Sequence, residues 1–580
     1  MVAHRQGAAR NQLTFHCLEE LIADENLVRV VDAFVDILDC DKLGFAHSTT
    51  KKTGAPPYNP ALFLRIYLYG YLNGIRSSRK LENECVRNIE MQWLCNKQTP
   101  CYHTIADFRS FKDKDNKINH PKALKEVFRA LNRFLNGEDL FGKETVATDG
   151  TKMRAQNAKK KNYTEDKLDK KLAMSEANVN KYLTELDNYD KLDNLTEEQT
   201  LLQIDTKTKL EEAKKWQDKF KELKQELKKR QELDPEVTQI SQTDPDARSI
   251  VINNSGHAEV AYNIVTAVDD KHKLIANYFT DNIKDTTLLA ESLIAVKAEF
   301  DNNFDENLHK NTENTEGGVL VDLSTKLNKN TTLNGLADKG FHAAVQLQEC
   351  ADNGIITYCA IPQLAFSGKD KEFTINAFIY NEIDDNYTCP NNKTLTTNGS
   401  IYDKKNRRGV VVNQFKRYNR SPKECAECPF AAKCLSKSAV KYRVSRQLER
   451  PINQKAVEEN RERLQTIKGK LLYRKRQAIV EHPFGVIKRQ WHTDHTLLRG
   501  LEKVNAEFGI VCTAYNLRRA MSILTVKELI NKLKTAKAEQ KPIHSRLFKP
   551  FLRIRRFQVP ATTYFGKLAV IKNNFYPIAA

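Results

Sequence analysis

Thr145-Val146-Ala147-Thr148-Asp149-Gly150 is a short β-prone run that stops on an acid followed by glycine. The character of the chain changes here. Residues 1–135 carry apolar positions at helical spacing, and the residues just after the run, Lys152, Arg154, Lys159, Lys160 and Lys161, are basic. A strand that ends on a carboxylate in basic surroundings predicts a sheet domain with an acid at its rim.

Residues 165–235 hold almost no Gly or Pro. Leu172, Val179 and Leu186 repeat at seven, while Trp216, Phe220, Leu223 and Leu227 repeat at three and four. This predicts two long amphipathic helices in a hairpin that turns at 188–194. The hairpin reads as an arm for dimerisation or DNA, or equally as an inert insertion. Pro235 and Pro245 close it. Strands follow over 260–268 and 273–279, joined by Asp269-Asp270-Lys271. Then come a helix over 286–300, an Asn-, Asp- and Thr-rich loop over 301–330, and a strand ending at Leu336-Ala337-Asp338. A helix over 341–353 and a strand over 355–361 complete the alternation.

Without the arm, that order is three strands followed by alternating helices and strands. It predicts an α/β fold (α+β overall), a mixed sheet flanked by helices. Asp149 and Asp338 would end neighbouring strands, where two carboxylates can share a metal pair.

Upstream, Leu18, Val28, Val31, Phe34, Val35 and Leu38 mark a first helix, and Pro57-Tyr58-Asn59-Pro60 opens a second over 61–72. Helices over 81–94 and 102–111 follow, with Arg76, Arg79 and Lys80 at a turn. Short helices with basic ends fit a DNA-binding domain; an ordinary bundle is the alternative. The division is therefore a helical DNA-binding domain over 1–135, the first part of a sheet core over 140–362, a Cys-containing β-rich insertion over 363–450, the rest of the core over 451–530, and a basic tail over 531–580.

The formal net charge of +19 and a pI near 9.2 point to a polyanion, and nucleic acid is the commonest. Lys541 to Ala580 carry eight Lys or Arg and no acid, interleaved with Phe548, Phe551, Phe557, Tyr564, Phe565, Phe575 and Tyr576. No apolar run reaches about 18 residues, and the N-terminus lacks an apolar signal segment, so no membrane partner and a cytoplasmic place are expected.

Tyr473 to Arg489 sets one carboxylate, Glu481, in a basic helical segment. Arg474, Glu481 and Lys488 are seven apart and fall on nearly one helix face. Asp149, Asp338 and Glu481 together suit Mg²⁺ or Mn²⁺, hard cations that prefer oxygen ligands. Two ions about 4 Å apart can serve phosphodiester chemistry, and the Lys and Arg nearby bind flanking phosphates.

Val146-Ala147-Thr148-Asp149-Gly150-Thr151-Lys152, Leu336-Ala337-Asp338-Lys339-Gly340-Phe341 and Val480-Glu481-His482-Pro483-Phe484-Gly485-Val486-Ile487-Lys488 resemble the three acidic motifs of DDE transposases from bacterial insertion sequences. The likeness extends through Leu498-Arg499-Gly500-Leu501-Glu502-Lys503-Val504 and Ala514-Tyr515-Asn516-Leu517, and through Asn59 to Arg109. It implies a ribonuclease-H-like core with Asp149, Asp338 and Glu481 as metal ligands. It also implies cleavage and strand transfer at terminal inverted repeats of double-stranded DNA, into target DNA, with a homodimer in the active complex. In bacteria the place of action is beside the nucleoid. Lys488 and Tyr473 match the family's Tyr-Arg-Glu-Lys signature, whose Lys contacts DNA near the cut. Lys152, Arg154, Arg474, Arg476 and Arg489 are the other candidate DNA contacts. Arg476 stands five residues before Glu481 where the family usually has four, Gln477 takes the usual place, and Arg474 has the better phase, so which Arg acts stays open.

A second departure lies in the insertion. Relatives that cut through a DNA hairpin hold a flipped base with an aromatic residue there, often Trp. Trp93, Trp216 and Trp491 all lie elsewhere, leaving Phe415, Tyr418 or Tyr442 to stack. The insertion does hold Cys389, Cys425, Cys428 and Cys434, a spacing that fits a structural Zn²⁺ site; four reduced cysteines are the plainer alternative. Two other functions share these features: a catalytically inactive DNA-binding relative that represses transposition, and a host nuclease on the same fold.

Overall fold

Side-chain caps set where the N-terminal helices begin. In this computed structural model, residues 17–48, 56–115, 117–192, 194–233, 237–251, 258–282, 285–301, 331–362, 373–405, 411–435 and 445–539 are described. The first helices are α1 (Val28–Asp36), α2 (Pro60–Leu72), α3 (Ser78–Arg87), α4 (Ile89–Leu94), α5 (Tyr102–Phe108) and α6 (His120–Gly137). Asn59 accepts from the Ala61 amide at 2.9 Å with Pro60 at the first helical position, so α2 starts there. The single helix expected over 81–94 is two. Asn88 is extended, and its Oδ1 accepts from the amides of Glu90 (2.9 Å) and Met91 (3.3 Å), ending α3 and starting α4.

The first strand is longer than its β-prone run. β1 spans Thr145–Arg154, β2 Asn162–Thr164, β3 Gln239–Ser241, β4 Arg248–Val251, β5 Ala258–Asp269, β6 Ile275–Asp281, β7 Leu333–Ala337 and β8 Ile355–Cys359. β2 and β3 pair at the base of a hairpin formed by α7 (Glu165–Asp190) and α8 (Glu197–Leu233). The main sheet runs β4-β5-β1-β7-β8, with β6 also on β5. β1 is antiparallel to β5 and parallel to β7, which is parallel to β8. The fold is thus α/β with a mixed sheet.

The expected helix over 286–300 is a short 3₁₀ turn, Asp285–Thr287, followed by α9 (Leu289–Asp301); α10 is Ala344–Asp352. Most of the loop expected over 301–330 and most of the basic tail lie outside the described residues. Within the insertion, five strands pair in one antiparallel sheet between Ile379 and Pro451. Its small core holds Phe378, Tyr387, Leu395, Tyr418 and Leu448. Phe415 and Tyr418 are buried, and the Tyr418 hydroxyl donates to Asp385, so neither ring is presented to a base; Tyr442 lies outside the described residues.

After the insertion come helices Gln454–Gln465 and Ile467–Phe484, a π-helical turn Gly485–Gln490, and helices Leu501–Ile523 and Val526–Glu539. Ile467–Phe484 packs on β1, β5, β7 and β8, while Leu501–Ile523 packs on α2, α6 and β6. One continuous apolar core therefore joins the N-terminal helices to the sheet. The Arg76–Glu507 ion pair, 2.6 Å and almost fully buried, crosses that seam. Glu507 also accepts from the Leu497 and Leu498 amides, and Arg76 donates to the His495 carbonyl. No helix among the described residues is long and apolar enough to cross a membrane.

Candidate active site

The parallel register of β1 and β7 builds the site. Thr148 stands opposite Ala337, so Asp149 and Asp338 come next along the two strands. Asp149 does not end its strand: β1 continues against β5 to Arg154 after its pairing with β7 stops. The Asp338 side chain instead caps the turn that follows, accepting from the Gly340 amide at 2.8 Å. Burial raises Asp149 to about pKa 6; the Arg476 guanidinium, 3.9 Å away, opposes the rise and the Asp338 carboxylate adds to it.

A third acid, Asp285, belongs to the same neighbourhood. It accepts from Lys152 Nζ at 2.9 Å and from Asn263 Nδ2 at 2.7 Å, and its charge also raises Asp149. A Cβ on Gly150 would come within 2.4 Å of Asp285 Oδ1, which is why glycine follows Asp149. Sequence reading missed Asp285 and Asn263. The only local signal was an acid heading the helix after the third strand.

The Ile467–Phe484 helix supplies the cationic wall. Ile479, Val480 and Pro483 are buried, and Arg476 lies on that inward side, with Tyr473 half-buried beside it. Arg474 and Arg489 are exposed. The structure thus puts Arg476, rather than Arg474, at Asp149. Glu481 is five residues beyond Arg476, about 140° around an α-helix. It is exposed and accepts from Gln477 Nε2 at 2.8 Å. The structure brings Asp149 and Asp338 together and leaves Glu481 on the outer face.

Lys488 does not share that outer face. The π-turn closes a wider ring than an α-helical turn and so resets the phase of the residues beyond it. Ile487 becomes buried, and Lys488 turns inward to donate to the Lys152 carbonyl at 3.2 Å. Burial lowers the Lys488 pKa, Asp494 opposes this, and Lys152 adds to it. The expected single face of Arg474, Glu481 and Lys488 is therefore split. Arg154 pairs with Asp494 at 2.5 Å. His482 Nδ1 lies 2.8 Å from the Tyr515 hydroxyl, which donates to the Lys273 carbonyl, so it anchors the helix to the sheet.

The cysteines are placed less tightly. Cys389 and Cys434 lie against the insertion core, and Asn391 Nδ2 is 3.4 Å from Cys428 Sγ. Among the described residues, no three His, Cys, Asp or Glu side chains are arranged as a metal-holding group.

Two family models match the chain: a Transposase domain (DUF772) over residues 16–111, and a Transposase DDE domain over residues 388–521. Together the two matches support a DDE transposase of insertion-sequence type. The second match covers Glu481 and Lys488, and the first covers most of the N-terminal helices of the transposase. No curated protein and no solved structure matches it. A transposase of this kind is an enzyme that acts on DNA, and its family generally uses divalent metal ions.

Proposed function

We propose that this transposase cleaves one strand at each terminal inverted repeat of its element and joins the freed 3′-hydroxyl to target DNA. One observation carries the reading. Asp149 on β1 and Asp338, one residue past the end of the parallel strand β7, sit side by side, close enough to raise the Asp149 pKa, with Arg476 3.9 Å from Asp149. Two carboxylates that repel one another in a half-buried notch fit a divalent cation, Mg²⁺ or Mn²⁺. Asp149 and Asp338 would hold it, and Glu481 would join them as the third ligand. When bound, such ions supply charge stabilisation at the phosphodiester.

The chain's own residues do the rest. Lys488 and Arg476 flank the acids and hold phosphate oxygens beside them, and Arg474 and Arg489 extend the basic track along the exposed helix face. Lys152 is fixed by Asp285 and Asn263, so it supports the Lys488 backbone contact before it meets DNA. Glu481 reaches the pair by rotation. If the extra residue held in the π-turn passes to the segment between Arg476 and Glu481, Glu481 turns by about 100° toward the buried face. The five-residue spacing from Arg476 to Glu481 suits such a shift.

The test mixes purified protein, an end DNA and Mg²⁺. Asp149→Ala, Asp338→Ala and Glu481→Ala should each lose cleavage and keep DNA binding. Full cleavage by Asp338→Ala would sink the assignment. Wild-type protein that binds the end without cutting it would mark an inactive DNA-binding relative. Cutting without preference for the element's ends would mark a nuclease.

A further inference from the structure

The α7–α8 arm changes character along its length. Its root is held by an apolar cluster of Tyr163, Leu168, Phe220, Leu223, Leu227, Val237 and Ile240. Toward the tip the helices are joined by thinner contacts, such as the Ser175 hydroxyl on the Ala213 carbonyl at 3.0 Å. Gln203 Nε2 reaches Asp190 Oδ1 at 3.2 Å, so the last residue of α7 stands opposite Gln203. The first residues of α8, from Glu197, therefore overhang the end of α7. On or beside that overhang, Leu201, Leu202 and Ile204 are 68%, 47% and 55% exposed, and Leu183, about two turns back along α7, is 40% exposed.

Charge divides the arm in the same way. Residues 181–205 hold seven acids and two lysines, in a chain whose net charge is +19. The root, residues 165–180 and 207–230, holds thirteen Lys or Arg and nine acids. An acidic, leucine-rich tip repels DNA, and its apolar side chains call for a protein surface. The complementary surface lies on the same chain, at the basic root. Glu197 to Arg230 spans about 50 Å of helix.

We propose that the arm pairs with the arm of a second copy of this chain, antiparallel, with the acidic tip of each on the basic root of the other. A two-fold arrangement satisfies both ends at once. Its axis passes near the middle of α8, where Trp216 is 44% exposed and stacks on Phe220. The pairing is separate from the catalytic reading, because it is measured without DNA or metal.

Light scattering on the full chain, about 66.5 kDa as a monomer, provides the test. The wild type should be a dimer at low micromolar concentration and low salt, and should weaken as salt rises. Reversing the tip with Glu197→Lys and Glu198→Lys should give monomers. So should reversing the root with Lys228→Glu and Lys229→Glu. Mixing the two monomeric variants should restore dimers, since each reversed tip then meets a reversed root. Restored pairing also shows that both variants are folded. Trp216 emission should shift to shorter wavelength whenever dimers form. A monomeric wild type, dimers that survive both reversals, or variants that fail to combine would each overturn the proposal.

Discussion

Asp149→Asn should make the metal-free protein more stable while abolishing cleavage. Burial lifts the Asp149 pKa from an ordinary 3.8 to about 6, with Arg476 opposing the rise and Asp338 adding to it. A shift of about two units corresponds to about 3 kcal/mol. The folded state holds this proton more tightly than the unfolded state. That advantage is complete below the unfolded pKa and is lost as pH rises through about 6. At neutral pH the ionised carboxylate therefore costs the fold up to about 3 kcal/mol. This is an upper figure, because 27% of the side chain remains exposed. Asparagine carries no such charge. Urea denaturation in EDTA, at about pH 4 and about pH 7.5, measures the difference between the two proteins. The gap should be small at the lower pH, and the variant should lead by about 2 kcal/mol or more at the higher one. Added Mg²⁺ should then stabilise the wild type alone. A variant no more stable at pH 7.5, or a gap that ignores pH, refutes the reasoning.

Arg476→Gln should lower cleavage by about tenfold or more by removing the cation nearest Asp149, a loss of about 1.4 kcal/mol. Arg474→Gln should change it little, and equal losses in the two variants would count against the placement of Arg476. Glu507→Gln leaves Arg76 buried without its charge partner and should destabilise the protein by about 3–5 kcal/mol in thermal or urea unfolding. An unchanged midpoint would mean that the seam does not depend on the pair. Hydrogen exchange across residues 477–490 should change when an end DNA and Mn²⁺ are added together; an unaltered pattern removes the rotation of Glu481. Metal analysis of protein purified without chelator should find about one zinc per chain if Cys389, Cys425, Cys428 and Cys434 close a site. Less than about half a zinc removes that site.

Most elements of the core could be read in advance because their signals are local. The β-prone run over 260–268, the cap at Asn59-Pro60 and the repeats of the arm lie within windows shorter than the elements they predict. The adjacency of Asp149 and Asp338 was expected as well, although the β1–β7 pairing that sets it joins distant residues such as Thr148 and Ala337. Other features depend on partners distant in sequence. β1 runs on to Arg154 because β5, more than a hundred residues later, pairs with it. Asp285 counts as part of the site only once Lys152 and Asn263 close on it. Glu481 and Lys488 are seven apart and look co-facial until a π-turn intervenes; Pro483, inside the helix between them, is the local sign of an irregularity that the spacing outweighed. Asn88 is the opposite case: a local signal, an Asx cap inside a helical pattern, that apolar spacing outweighed.

The Arg76–Glu507 pair has a consequence for how such enzymes diversify. Glu507 gathers Arg76 from the N-terminal helices and two amides from the strap just before its own helix, and Lys112 and Asn119 reach Glu502 on the same helix. Replacing the N-terminal helices with those of a relative would leave buried charge unmatched unless this helix changed with them. The N-terminal helices and the sheet body cannot be traded as separate modules, so a change in one has to be matched by substitution in the other.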